Sequence, residues 1–411
     1  MKIAIINHSD SRGGASVVSM RLMKALAAEG ADVSMIVTHK AGNDPDVHVA
    51  ARPLRQKIPF LLEHARIFAA NGFTRRDLFA VSIASDGLPI SELPQVRRAD
   101  VVMLNWVNQG MLDFDEIARI IAMGKTVIWT MHDMWNLTGI CHHAGTCTRY
   151  SLTPGCGMCP LLHRRAAEND LSRRTWHRKQ ALYSRGRIVF VAVSSWLGRK
   201  CAESSLMGDA IVEVIPNAFP VDEFYIIPRR KRAELGLPEG KKLIVMGAAR
   251  LDDPVKGLDL AIEALNRLAD SGRTDAHAVF FGAIRDPHAL DGLRLPHTAL
   301  GPVADKDFLH ELYAHATAVL SSSLYETLPG TLIEGQAAGC FPVSFGEGGQ
   351  ADIIDHGTSG YIARYRDTDD LARGLETALD GRFDPELLRR HVEERFSSQA
   401  VARQYLRLLN I

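Results

Sequence analysis

The chain contains 411 residues, and its 48 basic and 48 acidic side chains leave a formal net charge of zero. This length predicts two large α/β domains rather than one core, and the balanced charge gives no reason to expect a nucleic-acid partner. No apolar run approaches the length of a membrane-spanning helix, and the apolar segment at the N-terminus is shorter than that of a signal peptide. We therefore expect a cytoplasmic protein.

Short apolar runs rich in β-formers alternate with helical patterns along the whole chain, which favours parallel sheets. The first series of predicted strands covers residues 2–7, 33–37, 101–104, 126–129 and 188–193. The second series covers residues 243–246, 278–281, 318–321 and 341–344, with helices such as 258–269 between them. Two doubly wound, Rossmann-like domains are the predicted fold.

The predicted boundaries follow composition. Residues 1–215 form the N-terminal domain, with a cysteine-rich insertion at 141–160, and residues 216–235, which are rich in turn formers and charge, form a linker. Residues 236–392 form the C-terminal domain, and a last helix at 393–411 packs back on the N-terminal domain. Because ligands bind outside the carboxyl ends of parallel strands, we expect the two domains to face each other across a cleft.

Gly13 and Gly14 follow the first strand and precede an amphipathic helix. They permit a close approach of the backbone to a ligand, although a purely structural turn explains them equally well. The loop lacks the spacing of a dinucleotide site. His132 and Asp133 end a later strand, where His132 could donate a hydrogen bond to a sugar or phosphate, or could simply be a packed residue.

Two cations, Arg250 and Lys256, lie in the loop after the first strand of the second domain. A planar guanidinium and a mobile ammonium can hold a diphosphate without a metal ion. Further along, Glu326 and Glu334 flank a loop in which Pro329 suits the first turn of a helix over 331–338. The helix start favours a phosphate and the carboxylates could bind sugar hydroxyls, but two acids near a helix start are also common without function.

Together these residues resemble the retaining glycosyltransferases of the GT-B fold, in particular glycosyltransferase family 4, over nearly the whole chain. The resemblance is carried by the following matches: Gly13-Gly14, His132-Asp133, Ser194, Val214-Ile-Pro-Asn217, Arg250, Lys256-Gly257, Glu326 to Glu334 and Gly348-Gly349. It implies transfer of a sugar from a nucleotide-activated donor with retained anomeric configuration and without a catalytic metal.

The resemblance also implies roles for single residues. Arg250 and Lys256 would hold the donor diphosphate, Glu326 the donor sugar and Glu334 the ribose, with His132 beside the reacting sugar. The catalytic set is thus His132, Arg250, Lys256 and Glu326. The donor-binding set adds these residues: Gly13, Gly14, Leu328, Pro329, Gly330, Thr331 and Glu334.

Residues 101–112 and 129–142 are similar to a bacterial subgroup that builds surface polysaccharides of the colanic-acid type. The expected partners are a nucleotide-sugar donor and a glycan or lipid-linked glycan acceptor. Two positions depart from the pattern: Asn105 replaces a usual His, and Gly330 replaces a frequent Asn. A sugar-nucleotide epimerase or hydrolase of the same fold, or a non-catalytic binding protein, are the competing interpretations.

Four of the six cysteines, Cys141, Cys147, Cys156 and Cys159, are clustered. Their Cys-x2-Cys end has the spacing of a zinc knuckle, with His142 or His143 as a substitute ligand. We favour a structural zinc over free thiols, and we consider disulfides least because the compartment is expected to be reducing. Residues 163–187 are strongly basic, which predicts either peripheral contact with the inner face of the cytoplasmic membrane or a solvated helix face.

Overall fold

A computed structural model describes residues 1–409 of the chain. The structure divides into two compact units. Unit 1 contains Met1–Ile215 and the segment that begins at Ala402, and unit 2 contains Pro216–Val401. Within residues 1–409, no helix combines the length and the apolar character needed to cross a bilayer.

Unit 1 contains a seven-stranded sheet in the order β3-β2-β1-β4-β5-β6-β7, and every neighbouring pair is parallel. The strands are β1 (Lys2–Ile6), β2 (Asp32–Val37), β3 (Val47–Val49), β4 (Val101–Leu104), β5 (Thr126–Met131), β6 (Ile188–Ala192) and β7 (Ile211–Val214). The helices are α1 (Gly14–Ala28), α2 (Pro53–Ala70), α3 (Pro94–Arg98), α4 (Phe114–Ala122), α5 (Leu171–Tyr183) and α6 (Ser195–Glu203).

Unit 2 contains a six-stranded parallel sheet in the order β10-β9-β8-β11-β12-β13. The strands are β8 (Lys242–Arg250), β9 (Ala276–Ala283), β10 (His297–Ala299), β11 (Ala316–Ser321), β12 (Phe341–Phe345) and β13 (Tyr361–Ala363). The helices are α7 (Leu258–Asp270), α8 (Lys306–Ala314), α9 (Gly330–Ala337), α10 (Thr368–Asp380), α11 (Pro385–Phe396) and α12 (Ser398–Leu408).

Both sheets are built from apolar strands because helices cover both faces. In β1, Ile3 to Ile6 are almost fully buried, and β12 is buried over its whole length. The strand order reverses beside β1 and β4 in unit 1, and beside β8 and β11 in unit 2. Ligands of doubly wound sheets bind at such switch points, so the loops after these four strands are the expected positions of a ligand site.

The segment predicted as a linker, 216–235, is packed on unit 2. The backbone N–H of Phe219 donates to Phe396 O at 2.8 Å, and the guanidinium of Arg389 donates to Phe224 O at 2.6 Å. The predicted last helix, 393–411, is observed as α11 and α12, and residues 410–411 lie outside the described part. The boundary between the units falls inside α12, and the hydroxyl of Tyr405 lies 3.0 Å from Thr130 Oγ1 in unit 1.

Candidate functional site

The loops after β8 and β11 bring Lys256 and Glu326 together in unit 2. The ammonium of Lys256 contacts Glu326 Oε1, and Ser323 Oγ donates to the same oxygen at 3.3 Å. Two further bonds tie the loops, from Leu324 N to Val255 O at 2.8 Å and from the Ser322 hydroxyl to Lys256 O at 2.9 Å. Neighbouring strands therefore place a cation and a carboxylate at one point of the sheet edge.

Gly257 makes this close approach of the two loops possible. Its φ is +60°, and an added Cβ would lie 2.4 Å from Ser322 O. A side chain there would strain the backbone and would also push the two loops apart. The Lys256-Gly257 pair is thus one structural unit, in which the glycine allows the lysine to reach Glu326.

A third loop holds Glu326 from the other side. Gly349 N donates to Glu326 O at 2.9 Å, in an isolated parallel bridge between Glu326 and Gly348. Gly348 has a φ of +124°, and an added Cβ would lie 2.3 Å from Glu326 O. The Gly348-Gly349 pair therefore fixes the backbone of Glu326.

Arg250, at the end of β8, is paired with two neighbouring aspartates. Its Nη2 lies 2.9 Å from Asp253 Oδ2, and its Nε lies 3.6 Å from Asp252 Oδ1. The other oxygen of Asp252 accepts from the backbone N–H groups of Arg285 and Asp286 at 2.8 and 3.0 Å. The Asp286 bond and the nearby guanidinium lower the pKa of Asp252. In this arrangement Arg250 points to carboxylates, which a bound diphosphate could replace.

The predicted helix start is displaced by one position. Pro329 is the residue before α9, and the helix begins at Gly330, so Pro329 does not lie in the first turn. The reason is the extended ψ of 106° at Pro329. No side chain caps this end of α9, and Leu328, immediately before Pro329, is buried. The first turn of α9, including Thr331, therefore carries backbone N–H groups that a phosphate could accept from.

Glu334 lies on α9, half-buried. Burial and the nearby Glu334 carboxylate together raise the pKa of Tyr313. The departure at Gly330 has a steric basis, since an added Cβ would lie 2.9 Å from the ring of Phe219. The predicted donor residues of the second domain are thus grouped along one sheet edge and one helix start.

In unit 1, His132 follows β5 and lies beside the loop after β4. Its Nε2 is 3.0 Å from Asn105 Oδ1. With that amide oxygen as acceptor, Nε2 carries the proton. Burial lowers the pKa of His132 to about 4, against a smaller opposite effect of Asp133, so the imidazole is neutral near pH 7.

Asp133 is the centre of a buried polar network. Its Oδ2 lies 2.7 Å from His142 Nδ1 and accepts from Trp106 Nε1 at 3.0 Å, while Oδ1 accepts from Trp135 N at 2.8 Å. Burial alone would raise the pKa of Asp133, but His142, the nearby His143 and the N–H of Trp135 lower it overall. The network fixes the loops on both sides of His132.

Gly13 and Gly14 lie in unit 1, whereas the predicted donor residues from Arg250 to Glu334 lie in unit 2. Gly13 has a φ of +84° and precedes α1 without a side-chain cap, and an added Cβ at either glycine would meet no atom within 4 Å. The open space beside both glycines agrees with a loop that a ligand can approach. The positive φ of Gly13 is explained equally by a structural turn.

The cysteine cluster contains free thiols. Burial raises the pKa of both Cys141 and Cys159 to about 12, and Cys156 Sγ accepts from Gly139 N at 3.1 Å. Among the residues that the structure describes, no three His, Cys, Asp or Glu side chains form a group that could hold a metal ion. In the arrangement that the structure shows, these residues do not form a site that fits zinc. The structural zinc stays a prediction from the sequence.

His142 is also unavailable as a substitute zinc ligand. One ring nitrogen is taken by Asp133, and the other lies 3.0 Å from Ser82 Oγ. The loop is instead fixed by Asp170, which caps α5 and accepts from Cys159 N at 2.8 Å. Hydrogen bonds therefore order this insertion in the structure.

Two side chains of the basic stretch 163–187, those of Lys179 and Arg173, point into unit 1, whereas its other arginines are exposed. Lys179 is fully buried and donates to Trp135 O and, at 3.0 Å, to Thr138 O, and burial lowers its pKa to about 7. The guanidinium of Arg173 donates to Cys156 O at 2.9 Å. Trp176, the tryptophan of this stretch, is buried and so is not placed to contact a membrane. The apolar side of α5 therefore faces the core.

Sequence patterns did not indicate two of the contacts at this site, the one between His132 and Asn105 and the one between Asp133 and His142. Asn105 appeared only as a departure from a pattern, and the Asp133–His142 pair was hidden because His142 was read as part of the cysteine cluster. The 133–142 spacing follows no helix or strand period, so no signal in the sequence could have found that pair. The Arg250 pairing joins near neighbours, since Asp253 lies only three residues further along the chain.

The whole chain has the fold of the GT-B glycosyltransferases. The crystal structure of Anabaena Alr3699/HepE in complex with UDP and glucose matches with a TM-score of 0.62 and 15% identity over 100% of this chain and 99% of that one. Sucrose-phosphate synthase from Thermosynechococcus elongatus matches with a TM-score of 0.63 and 18% identity, over 100% and 98%. WaaG, a glycosyltransferase involved in lipopolysaccharide biosynthesis, matches with a TM-score of 0.59 and 17% identity, over 98% and 95%.

Part of unit 2 is similar to a known family of glycosyl transferases. Residues 240–381 match the family model described as glycosyl transferases group 1, and this range includes Arg250, Lys256, Glu326 and Glu334. No curated protein matches the sequence. The prediction of two doubly wound parallel sheets is confirmed.

Proposed function

We propose that this protein is a retaining family 4 glycosyltransferase that moves a sugar from a nucleoside-diphosphate sugar to a glycan or lipid-linked glycan during synthesis of a bacterial surface polysaccharide. The observation that carries the proposal is the contact of Lys256 with Glu326. Both residues lie in the range that matches the glycosyl transferase model, and Glu326 lies in the loop that leads into the uncapped start of α9. The relatives crystallised with UDP and glucose, or involved in lipopolysaccharide biosynthesis, support the donor and the pathway.

Unit 2 binds the donor in this proposal. Arg250 and Lys256 bind the diphosphate, the N–H groups at the start of α9 donate to a phosphate oxygen, and Glu334 binds the ribose hydroxyls. Glu326 binds hydroxyls of the sugar that moves. In the free protein the Lys256 ammonium is paired with the Glu326 carboxylate, and donor binding replaces this carboxylate by a phosphate. The ammonium therefore keeps a negatively charged partner, and little free energy is lost to an unpaired charge.

The chemical step breaks the bond between the anomeric carbon and the diphosphate oxygen. The charge that develops on the diphosphate is stabilised by Arg250, Lys256 and the α9 dipole, so no metal ion is needed. An acceptor hydroxyl attacks the same face of the sugar, and its proton passes to the departing phosphate. His132, neutral near pH 7, acts as a hydrogen-bonding group at the sugar and not as a cation.

A lipid-linked acceptor would bring the protein to the inner face of the cytoplasmic membrane as a peripheral protein. No step of the mechanism depends on zinc. The thiols of the cysteine-rich insertion are tested separately by elemental analysis of the folded protein, in which stoichiometric zinc would support the prediction and its absence would remove it.

The experiment that tests the function is a panel of nucleotide sugars in thermal unfolding, followed by product analysis. A ligand that binds only the folded protein raises the melting temperature, so the true donor should stand out from its nucleotide and sugar relatives. NMR of the product should show the donor's anomeric configuration. Free sugar released at a rate unaffected by added glycan, or an epimerised donor, would contradict the transferase.

A further inference from the structure

Unit 1 contains a cavity of about 470 Å³ whose polar wall is cationic. Arg12, Lys40 and Lys57 line it together with His8 and His39, and no Asp or Glu belongs to the lining. A cavity that collects three permanent positive charges and two imidazoles is complementary to an anion.

The cations at this cavity are not neutralised by the protein. Neither Arg12 nor Lys57 forms an ion pair with any residue in the described part of the chain, and Lys40 donates to two backbone carbonyls, Asp44 O and Val47 O, at 2.7 and 2.8 Å. Asp10, the acid of the same loop, is turned to the backbone N–H groups of Ala41 and Gly42. The positive charge is therefore available to a ligand.

The two imidazoles of the cavity, His8 and His39, lie close to each other and to Arg12. The rings of His8 and His39 lie 5.3 Å apart, edge to face, and His8 Nδ1 lies 3.3 Å from Thr38 Oγ1. Burial, His39 and Arg12 lower the pKa of His8 to about 4. Two neutral imidazoles beside a guanidinium are groups that can take up protons once an anion arrives.

A buried carboxylate ties one wall of the cavity to α2. Glu63 is the only acid of α2, and it accepts from Gly110 N at 2.7 Å and from Ile83 N and Ala84 N at 2.7 and 3.0 Å. Gly110, a lining residue with a φ of +81°, approaches α2 so closely that an added Cβ would lie 2.4 Å from Phe60 N. These contacts fix α2 against the cavity.

We propose that this cavity binds the phosphate or diphosphate group of the acceptor, so that the acceptor is a phosphorylated sugar or a lipid-linked sugar diphosphate and not a neutral glycan. The inference rests on the proposed function, because it names the class of molecule that receives the sugar. A phosphate or diphosphate supplies the multiple negative charge that Arg12, Lys40 and Lys57 match.

The outer face of α2 offers a way to distinguish a lipid-linked sugar diphosphate from a free sugar phosphate. Leu54, Ile58 and Leu61 are 80, 56 and 61% exposed and follow each other at helical spacing, beside the wall to which Lys57 belongs. An isoprenoid chain attached to a bound diphosphate would cover this ridge, whereas a free sugar phosphate would leave it bare.

The test is calorimetric titration of the full chain with inorganic pyrophosphate, which should bind at this cavity and at the donor site. The double variant Arg12→Gln with Lys57→Gln should weaken pyrophosphate binding at the cavity by roughly tenfold or more, since each lost contact joins two charged groups. Lys256→Ala should weaken pyrophosphate binding at the donor site. The matched control is Lys24→Gln, which removes an exposed charge of α1 away from the cavity lining.

Pyrophosphate binding that survives Arg12→Gln with Lys57→Gln, and is lost entirely in Lys256→Ala, would overturn the inference while leaving the donor site intact. A nucleotide-sugar panel without any stabilising member would instead remove the proposed function. Titration with farnesyl diphosphate distinguishes a lipid-linked acceptor from a free sugar phosphate. If the acceptor is lipid-linked, Ile58→Ser with Leu61→Ser should weaken the binding of farnesyl diphosphate but not that of pyrophosphate. If the acceptor is a free sugar phosphate, this double variant should bind both compounds as the wild type does.

Discussion

Lys256 and Glu326 are 70 residues apart in the chain, and their charged groups are in direct contact. The contact exists because β8 and β11 are neighbours in the unit 2 sheet although two strands separate them in sequence. A crossover connection thus converts two separate loop motifs into one site at the switch point of the sheet.

Replacing Lys256 by Ala should reduce stabilisation by the donor. The ammonium supplies one of the two side-chain cations that we assign to the diphosphate, and loss of a charge-assisted contact should weaken donor binding by roughly tenfold to a hundredfold. The measurement is the shift in melting temperature with a saturating nucleotide sugar. Lys306→Ala, at an exposed position at the start of α8, is the matched control, and an equal effect of both changes would contradict the assignment.

The free energy of unfolding should fall between pH 6.5 and pH 4 because of His132. Its imidazole has a pKa near 4 in the folded protein, lowered from 6.5, so the unfolded chain takes up a proton in this window while the folded chain does not. The stability that the neutral imidazole maintains is complete above pH 6.5 and is lost as the pH falls.

This pH dependence is measured by urea unfolding of the wild type and His132→Gln at several pH values. The stability of the wild type relative to the variant should decline on acidification. His177→Gln, at an exposed position of α5, controls for histidine titration in general. A wild-type advantage that stays constant from pH 7.5 to pH 4 would show that His132 is not buried in neutral form.

Gly348→Ala should destabilise unit 2 and weaken donor binding at the same time. The residue has a φ of +124°, and the added methyl group would lie 2.3 Å from Glu326 O, so the backbone of Glu326 must move. We expect a loss of about 1–3 kcal/mol in the free energy of unfolding, from strain and the displaced loop.

Gly357→Ala is the matched control for Gly348. It has a φ of +81° but no atom within 4 Å of the added methyl group, so it carries the backbone strain without the clash. Chemical unfolding and donor-dependent melting of both variants separate the two effects. Donor binding that is reduced equally in both variants would argue against a specific role of the Gly348 contact.

Gly330→Asn should destabilise the protein because of Phe219. The Cβ of any side chain at this position would lie 2.9 Å from the buried Phe219 ring, and overpacking of this kind costs about 1–3 kcal/mol. Combining the change with Phe219→Leu should recover part of the loss, as measured in a double-mutant cycle of unfolding free energies. Strictly additive costs would show that the ring does not determine the glycine.

The strands that sequence patterns found are the buried ones, such as β4 and β12, because continuous apolar runs are typical of parallel sheets covered on both faces. The edge strands β3, β10 and β13 have three residues each and carry too little pattern to be recognised. The first residue of α9 was misplaced by one position, since Pro is common both at a helix start and just before it.

The candidate site divides in the same way. Local sequence indicated Lys256, Glu326 and Glu334 because each lies at a strand end or helix start, where position in the element implies exposure to a ligand. The partner of His132 could not be found, since Asn105 follows β4 and is brought close only by the pairing of β4 with β5. The same holds for the cavity around Arg12 and Lys57, which combines residues from loops and from α2.

The sequence by itself determined the two α/β halves and the residue types of the candidate donor loop, because apolar periodicity and turn chemistry are local properties of the chain. Only the tertiary structure decided which charges are available. It buried Lys179 and turned the apolar side of α5 inward, while it left Arg12 and Lys57 without carboxylate partners in the described residues and exposed the apolar ridge of α2. Burial and pairing depend on contacts between distant segments, which no local pattern records.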